Sequence, residues 1–293
     1  MPRPLHTPDP AVLCVGAVVL DTIARSADPL AIGDDVPGTA TTRAGGVAAN
    51  IARAIALRGG QVSLLSALGR DQNGQRVRDE LSAAGVDCTR VVQLAGGTDQ
   101  VVTLENPDGE RFAAVADCRQ WDAASRTHLD DLAGVIQPWN GPIVIDGNAD
   151  AESLASLLAA AARRATLVPA SDAKAVKLRN LIPVYRPRMI VNKGEVESLL
   201  QRPFGTSESA ADALLEHGAW EVAVTDGPRN AVLANQTEQV SLTPPSMAIV
   251  STLGAGDAFA AGLLTSVGVD LQTRLSQALS AAAQHLVAAG EQG

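Results

Sequence analysis

The chain has 293 residues, 46% hydrophobic and 19% charged, which supplies enough apolar surface for a full core and excludes disorder over most of its length. Its 32 acidic residues outnumber 23 basic ones, and the formal charge of −9 offers no long-range attraction to nucleic acid or to an anionic membrane. Aromatic residues are 2% of the chain, too few for rows of stacking rings on single-stranded nucleic acid.

The first ten residues hold four prolines and no apolar run of signal-peptide type, and Ala11 to Leu20 is too short to cross a bilayer. Cys14, Cys88 and Cys118 lack CxxC spacing, which argues against a disulfide framework or a structural zinc site. A reducing, cytoplasmic setting is expected. His6, His128, His217 and His285 are scattered singles without metal-ligand spacing.

From Ala11 onward, β-branched apolar runs alternate with helical patterns, which predicts an α/β fold with a mostly parallel sheet buried under helices. Strands are expected at Val12 to Leu20, Gln61 to Leu68, Pro142 to Asp146, Met189 to Val191 and Val222 to Thr225. Alanine-rich helices are expected near 46–57, 74–84, 151–164, 207–217, 257–267 and 271–289. Val101 to Leu104 and Arg111 to Ala116 flank Asn106-Pro107-Asp108-Gly109, a turn that predicts an antiparallel hairpin, and residues 22–44 can add strands beside it. The lid segments are therefore approximately 22–44 and 98–118 of one 1–293 domain.

Several segments place chemistry at helix entrances. Gly16 to Asp21 ends a hydrophobic run with a carboxylate, where open α/β sheets bind ligands, so Asp21 suits vicinal hydroxyls or is a solvated strand-end acid. Gly45 and Gly46 let a ligand approach backbone, and Asn50, one turn on, offers a donor and an acceptor to a sugar hydroxyl; a plain loop and helix start has the same letters. Lys174, in a basic cluster with Lys177 and Arg179, can reach phosphates or form a solvated face. Asn192 and Glu195 can hold Mg²⁺ through water, or form a helix N-cap with its partner three residues on. Thr225 and Gly227 follow a strand and suit a nucleotide-side turn.

Ser251-Thr252-Leu253-Gly254-Ala255-Gly256-Asp257 precedes an apolar helical run. Its small residues let backbone N–H groups converge on an anion at a helix N-terminus, with Asp257 in the first turn able to accept a proton from a hydroxyl. A loop ending in an N-cap Asp reads the same way.

Together, Gly45-Gly46-Val47-Ala48-Ala49-Asn50 and Leu253-Gly254-Ala255-Gly256-Asp257, in this order and separation, resemble the PfkB, or ribokinase-like, family of carbohydrate kinases across nearly the whole chain. Asn192 and Glu195 match that family's N-x-x-E motif, and Thr225 with Gly227 its nucleotide-side turn. Within the family the chain is most similar to the pseudouridine kinases, through Asn50-Ile51-Ala52, Ala116-Asp117, Asp146-Gly147-Asn148 and Pro169-Ala170-Ser171 with Lys174 to Arg179.

The resemblance implies a three-layer α/β/α sandwich with a small β-sheet lid, ATP and Mg²⁺ as cofactors, and phosphoryl transfer to a primary hydroxyl of a nucleoside or sugar. It implies Asp257 as base, the Gly254, Ala255 and Gly256 backbone at the transferring phosphoryl, and Asp21, Gly45, Gly46, Asn50, Asp117 and Asn148 at the substrate. Lys174, Asn192, Glu195, Thr225 and Gly227 fall on the nucleotide side, with Glu195 reaching Mg²⁺ through water. A homodimer built through the lid follows from its unpaired edges. Val19 replaces a polar residue of many relatives, and Ser251 replaces the acid that opens the usual signature, which leaves a monovalent-cation site open. A kinase of ribose or fructose, or a nucleoside-binding protein of this fold with impaired transfer, are the alternatives.

Overall fold

The computed structural model describes residues 11–245, 254–266 and 268–290. Ser251, Thr252 and Leu253 of the glycine-bearing segment, and His6, lie outside the described residues.

The strands are β1 (Val12–Val15), β2 (Val19–Ser26), β3 (Gly38–Gly45), β4 (Val62–Gly69), β5 (Val91–Leu94), β6 (Gln100–Glu105), β7 (Arg111–Asp117), β8 (Ile143–Asp146), β9 (Ala165–Val168), β10 (Arg188–Asn192), β11 (Glu221–Thr225), β12 (Ala231–Asn235) and β13 (Gln239–Leu242). The helices are α1 (Val47–Leu57), α2 (Gln72–Ala83), α3 (Gln120–Thr127), α4 (Leu129–Ile136), α5 (Ala151–Ala161), α6 (Asp172–Ala175), α7 (Ile182–Tyr185), α8 (Lys193–Leu200), α9 (Ser207–Glu216), α10 (Ala255–Thr265) and α11 (Leu271–Gly290).

One sheet has the order β13-β12-β11-β10-β9-β8-β1-β4-β5, parallel from β5 through β11 and antiparallel only at the β12 and β13 edge. Along β1 successive side chains point to opposite faces, so Leu13 and Val15 join one buried cluster and Val12 and Cys14 the other. Trp121, Leu154, Ile182, Val196 and Leu214 of α3, α5 and α7 to α9 cover the first face. Ile51, Leu81, Phe259 and Leu275 of α1, α2, α10 and α11 cover the second. This is the expected three-layer sandwich. Its small residues permit close helix approach: a Cβ on Gly262 of α10 would lie 2.7 Å from the Ala281 Cβ of α11.

A separate four-stranded sheet has the order β3-β2-β6-β7. The β6–β7 hairpin closes where the turn residues foretell it, with Gly109 N–H donating to Asn106 O across 2.9 Å. The expected single strand from Val12 to Leu20 is corrected. It breaks after Val15, because the Asp146 carboxylate fills the space a Cβ on Gly16 would need and accepts the Ala17 N–H at 2.9 Å. The chain then crosses into the small sheet, where Asp21 sits in β2 opposite Arg43 of β3 rather than at the end of a main-sheet strand.

Candidate functional site

α10 begins at Gly254, whose left-handed backbone (φ 83°) caps the helix without a side chain. A Cβ there would lie 2.8 Å from His285 Nε2, so glycine is required by both backbone and space. Among the described residues nothing stands within 4 Å of a Cβ built on Gly256, which leaves an oxygen room there beside the first-turn backbone. Asp257 is half-buried in that turn. Burial pushes its carboxyl up to about 7; the Asn50 hydrogen bond opposes the rise, Asp146 adds to it, Arg53 opposes it, and Glu195 adds again.

Asn50 comes from α1, which starts after Gly46 in a left-handed conformation (φ 95°). The Ala17 carbonyl occupies the space of a Gly46 Cβ, and the Asp21 carboxylate that of a Gly45 Cβ. This close approach brings the small sheet against the helix start. Asn50 Nδ2 donates to Asp257 Oδ2 at 3.0 Å, while Asn50 Oδ1 accepts from Arg53 at 2.7 Å. The same guanidinium donates to the Ala44 carbonyl at 2.8 Å and pairs with Glu80 at 2.9 Å. Glu80 also accepts the Ala44 N–H at 2.8 Å, tying the end of β3 to α1 and α2. Burial raises the Asp21 carboxyl, and Arg43, Arg53 and Arg111 act against that rise.

Across the cleft, Asp146 at the end of β8 accepts the Asn148 N–H at 2.9 Å. Burial raises its carboxyl, partly countered by the Asn148 and Ala17 bonds and by the charge of Lys174. Lys174 Nζ donates to Asn148 Oδ1, which joins two residues of the expected site. Asn192 and Glu195 form the capping box: Asn192 Oδ1 accepts the Glu195 N–H and Glu195 Oε2 the Asn192 N–H, each at 2.9 Å. Glu195 is buried, and burial pushes its carboxyl up to about 7, opposed by the Asn192 bond and assisted by Asp172. The helix-cap reading of these letters is realised, with the acid held within electrostatic reach of Asp257.

Thr225 lies beside Asn192 in the β10–β11 register, and Gly227 follows with a left-handed backbone (φ 57°) and, among the described residues, nothing within 4 Å of a Cβ built on it. Asp117 closes β7 at the cleft rim, exposed and doubly bonded by Arg119 at 2.6 Å. Its neighbour Cys118 has a thiol raised by burial and then by Asp99, lowered by Lys174, and raised again by Asp117 and Asp21.

Hydrogen bonds and close approaches thus join Asp257, Asn50 and Arg53, and Asp21 with Gly45; Lys174 is joined to Asn148, and Asp146 and Glu195 lie within electrostatic reach of Asp257. Thr225, Gly227 and Asp117 stand at the margins. Sequence reasoning passed over Arg53 and Glu80, and gave Asp146 no role of its own; the i, i+3 spacing of Asn50 and Arg53 on α1 is the signal that marks the first. Among the described residues no group of three His, Cys, Asp or Glu is arranged to hold a metal ion.

The sequence model described as pfkB family carbohydrate kinase matches residues 9–289. The pseudouridine kinase of Escherichia coli K12 is 29% identical over 261 residues, covering 86% of this chain and 82% of that protein. A 1-phosphofructokinase of Rhodobacter capsulatus is 30% identical over 255 residues, covering 81% and 78%. The structure of Arabidopsis thaliana ribokinase complexed with ribose and ATP superposes with a TM-score of 0.76 at 20% identity, over 95% of this chain and 93% of that one.

Proposed function

The chain belongs to the pfkB family of carbohydrate kinases, phosphotransferases with an alcohol acceptor, and from that premise we propose that it moves the γ-phosphoryl of ATP to the 5′-hydroxyl of a nucleoside, pseudouridine before others. The observation that carries the mechanism is Asp257, held by Asn50 at a helix N-terminus with its carboxyl at about 7. A carboxylate with that proton affinity takes the hydroxyl proton as the oxygen attacks phosphorus, and the bond from phosphorus to the β-phosphate oxygen breaks. Asp257 leaves protonated, and ADP carries the other product charge.

The backbone of Gly254, Ala255 and Gly256 stabilises the charge on the phosphoryl oxygens through the helix N-terminus. Asp21 and Asn50 orient sugar hydroxyls, with Gly45 and Gly46 giving the substrate access to backbone. Asn148 and Asp117 complete the acceptor side. Lys174 neutralises phosphate charge from its anchor on Asn148, and Thr225 and Gly227 border the nucleotide. Glu195, placed by the Asn192 cap, would hold Mg²⁺ through water, and the cation would supply positive charge against the phosphates.

The small sheet acts as a lid over the acceptor and limits transfer to water, within a single kinase domain. β7 is an edge strand exposed along its length, with Val115 72% exposed, and this supports a homodimer closed through the lids. The reading implies small-molecule partners only and a cytoplasmic enzyme. The 1-phosphofructokinase relative favours a sugar acceptor as the second reading.

ATP consumption with Mg²⁺ across pseudouridine, uridine, adenosine, ribose and fructose, beside Asp257→Ala, tests the proposal. Turnover highest with pseudouridine and absent in the variant is expected. Preference for a free sugar moves the assignment to the second reading, and turnover undiminished in the variant removes Asp257 as base.

A further inference from the structure

Four arginines gather at the end of the main sheet opposite Asp257. The N-terminal ends of β8 to β11 and the last turn of α10 border a cavity of about 400 Å³. Arg163, Arg164, Arg188 and Arg274 line it with Trp220 and Leu264, and no carboxylate is among its described lining residues. A five-residue strand spans about 16 Å, so this cavity and the C-terminal ends of the same strands, with Asp146, Asn192 and Thr225, are separate places.

Beneath the cavity, Glu221 is buried and accepts from Arg188 Nε and from both terminal nitrogens of Arg274, the latter at 2.7 and 2.6 Å. Two guanidinium groups on one carboxylate leave a positive charge uncompensated in a poorly solvated place, and buried charge is ordinarily paired. Arg188 also stacks 4.9 Å from the centre of the Trp220 ring, whose buried Nε1 has no acceptor among the described residues. Arg164 is fixed by donating to the Ala160 and Ala161 carbonyls at the end of α5, while Arg163 stands exposed at the rim. Glu221 set against the four arginines leaves more positive charge than one carboxylate neutralises, in a protein whose net charge is −9.

We propose that this cavity is a second ligand site, for a small organic phosphate whose dianionic head meets the arginines and whose flat or aliphatic body lies on Leu263, Leu264 and Trp220. The planar guanidinium forks match phosphate oxygens in pairs, and the volume fits a body the size of one aromatic ring or one nucleoside. α10 joins the two places: its last turn lines this cavity and its first turn holds Asp257.

Titration calorimetry of the intact protein with phenyl phosphate, and with benzoate for comparison, reads the site without reference to the kinase substrate. Phenyl phosphate is expected to bind more tightly than benzoate. Arg163→Glu, an exposed change, should weaken it roughly tenfold or more, and Trp220→Phe several-fold, with turnover and melting temperature retained for Arg163→Glu. Lys174→Ala, in the catalytic cleft, should leave the affinity unchanged. The proposal is overturned by absence of saturable binding at millimolar phenyl phosphate, by benzoate binding as tightly, or by loss of binding in Lys174→Ala with none in Arg163→Glu.

Discussion

Asn50 Nδ2 and Asp257 Oδ2 stand 3.0 Å apart although 207 positions separate them in the chain. One hydrogen bond joins the start of α1 to the start of α10, and Arg53 behind it fixes which face Asn50 presents by donating to its Oδ1 at 2.7 Å. The bond therefore positions the acid and moderates a proton affinity that burial raises.

Replacing Asp257 with Asn keeps shape and removes the proton acceptor. Nucleoside-dependent ATP turnover should fall by about 10²–10⁴-fold, with folding retained. A steady-state assay beside circular dichroism checks this, and a fall of less than tenfold contradicts the assignment.

The pH profile follows from the same carboxyl. Asp257 works ionised and stands at about 7, so turnover should rise with pH through about 7 and level above it. Asn50→Ala removes a bond that favours the ionised form, so the midpoint should move to higher pH. An unmoved midpoint would show that this bond does not tune the base.

Stability runs in the opposite sense. Because folding raises this carboxyl from 3.8, its contribution is full below about 4 and is lost as pH rises through about 7. Asp257→Asn should melt higher than the parent at pH 8, by about 1–2 kcal/mol after solvent screening, and equally at pH 4. Melting curves at the two pH values measure the difference, and a constant offset contradicts it.

Glu195→Gln retains an oxygen to accept the Asn192 N–H, so the α8 cap and the melting temperature should persist. The lost charge should raise the Mg²⁺ concentration for half-maximal turnover roughly tenfold. Titration of turnover with Mg²⁺ separates this from a cap-only role, in which the curve stays in place.

On the lid, Val115→Asp puts a charge on the exposed edge strand β7. Sedimentation at micromolar concentration should show a dimer for the parent and a monomer for the variant. A parent that sediments as a monomer removes the lid-to-lid arrangement.

The helices around 46–57, 207–217 and 271–289, the parallel core strands and the β6–β7 hairpin were legible because period, glycine and turn chemistry are local properties. The strands β5, β9, β12 and β13 and the helices α3 and α4 were not singled out: a run of four residues such as Ala165–Val168 carries too little pattern, and pairing with β8 and β10 makes that one a strand. The break after Val15 has its cause in Asp146, which the chain brings in from 129 positions beyond Ala17.

By itself, the sequence determined the layered α/β class, the glycines at both helix entrances and the residue types available for phosphoryl transfer. Only the tertiary structure decided that Arg53 and Glu80 brace Asn50, that Asn148 anchors Lys174, and that Asp146 and Glu195 raise the proton affinity of Asp257. Proton affinity depends on burial and on charges brought close through space, and neither is encoded in the spacing of neighbouring letters.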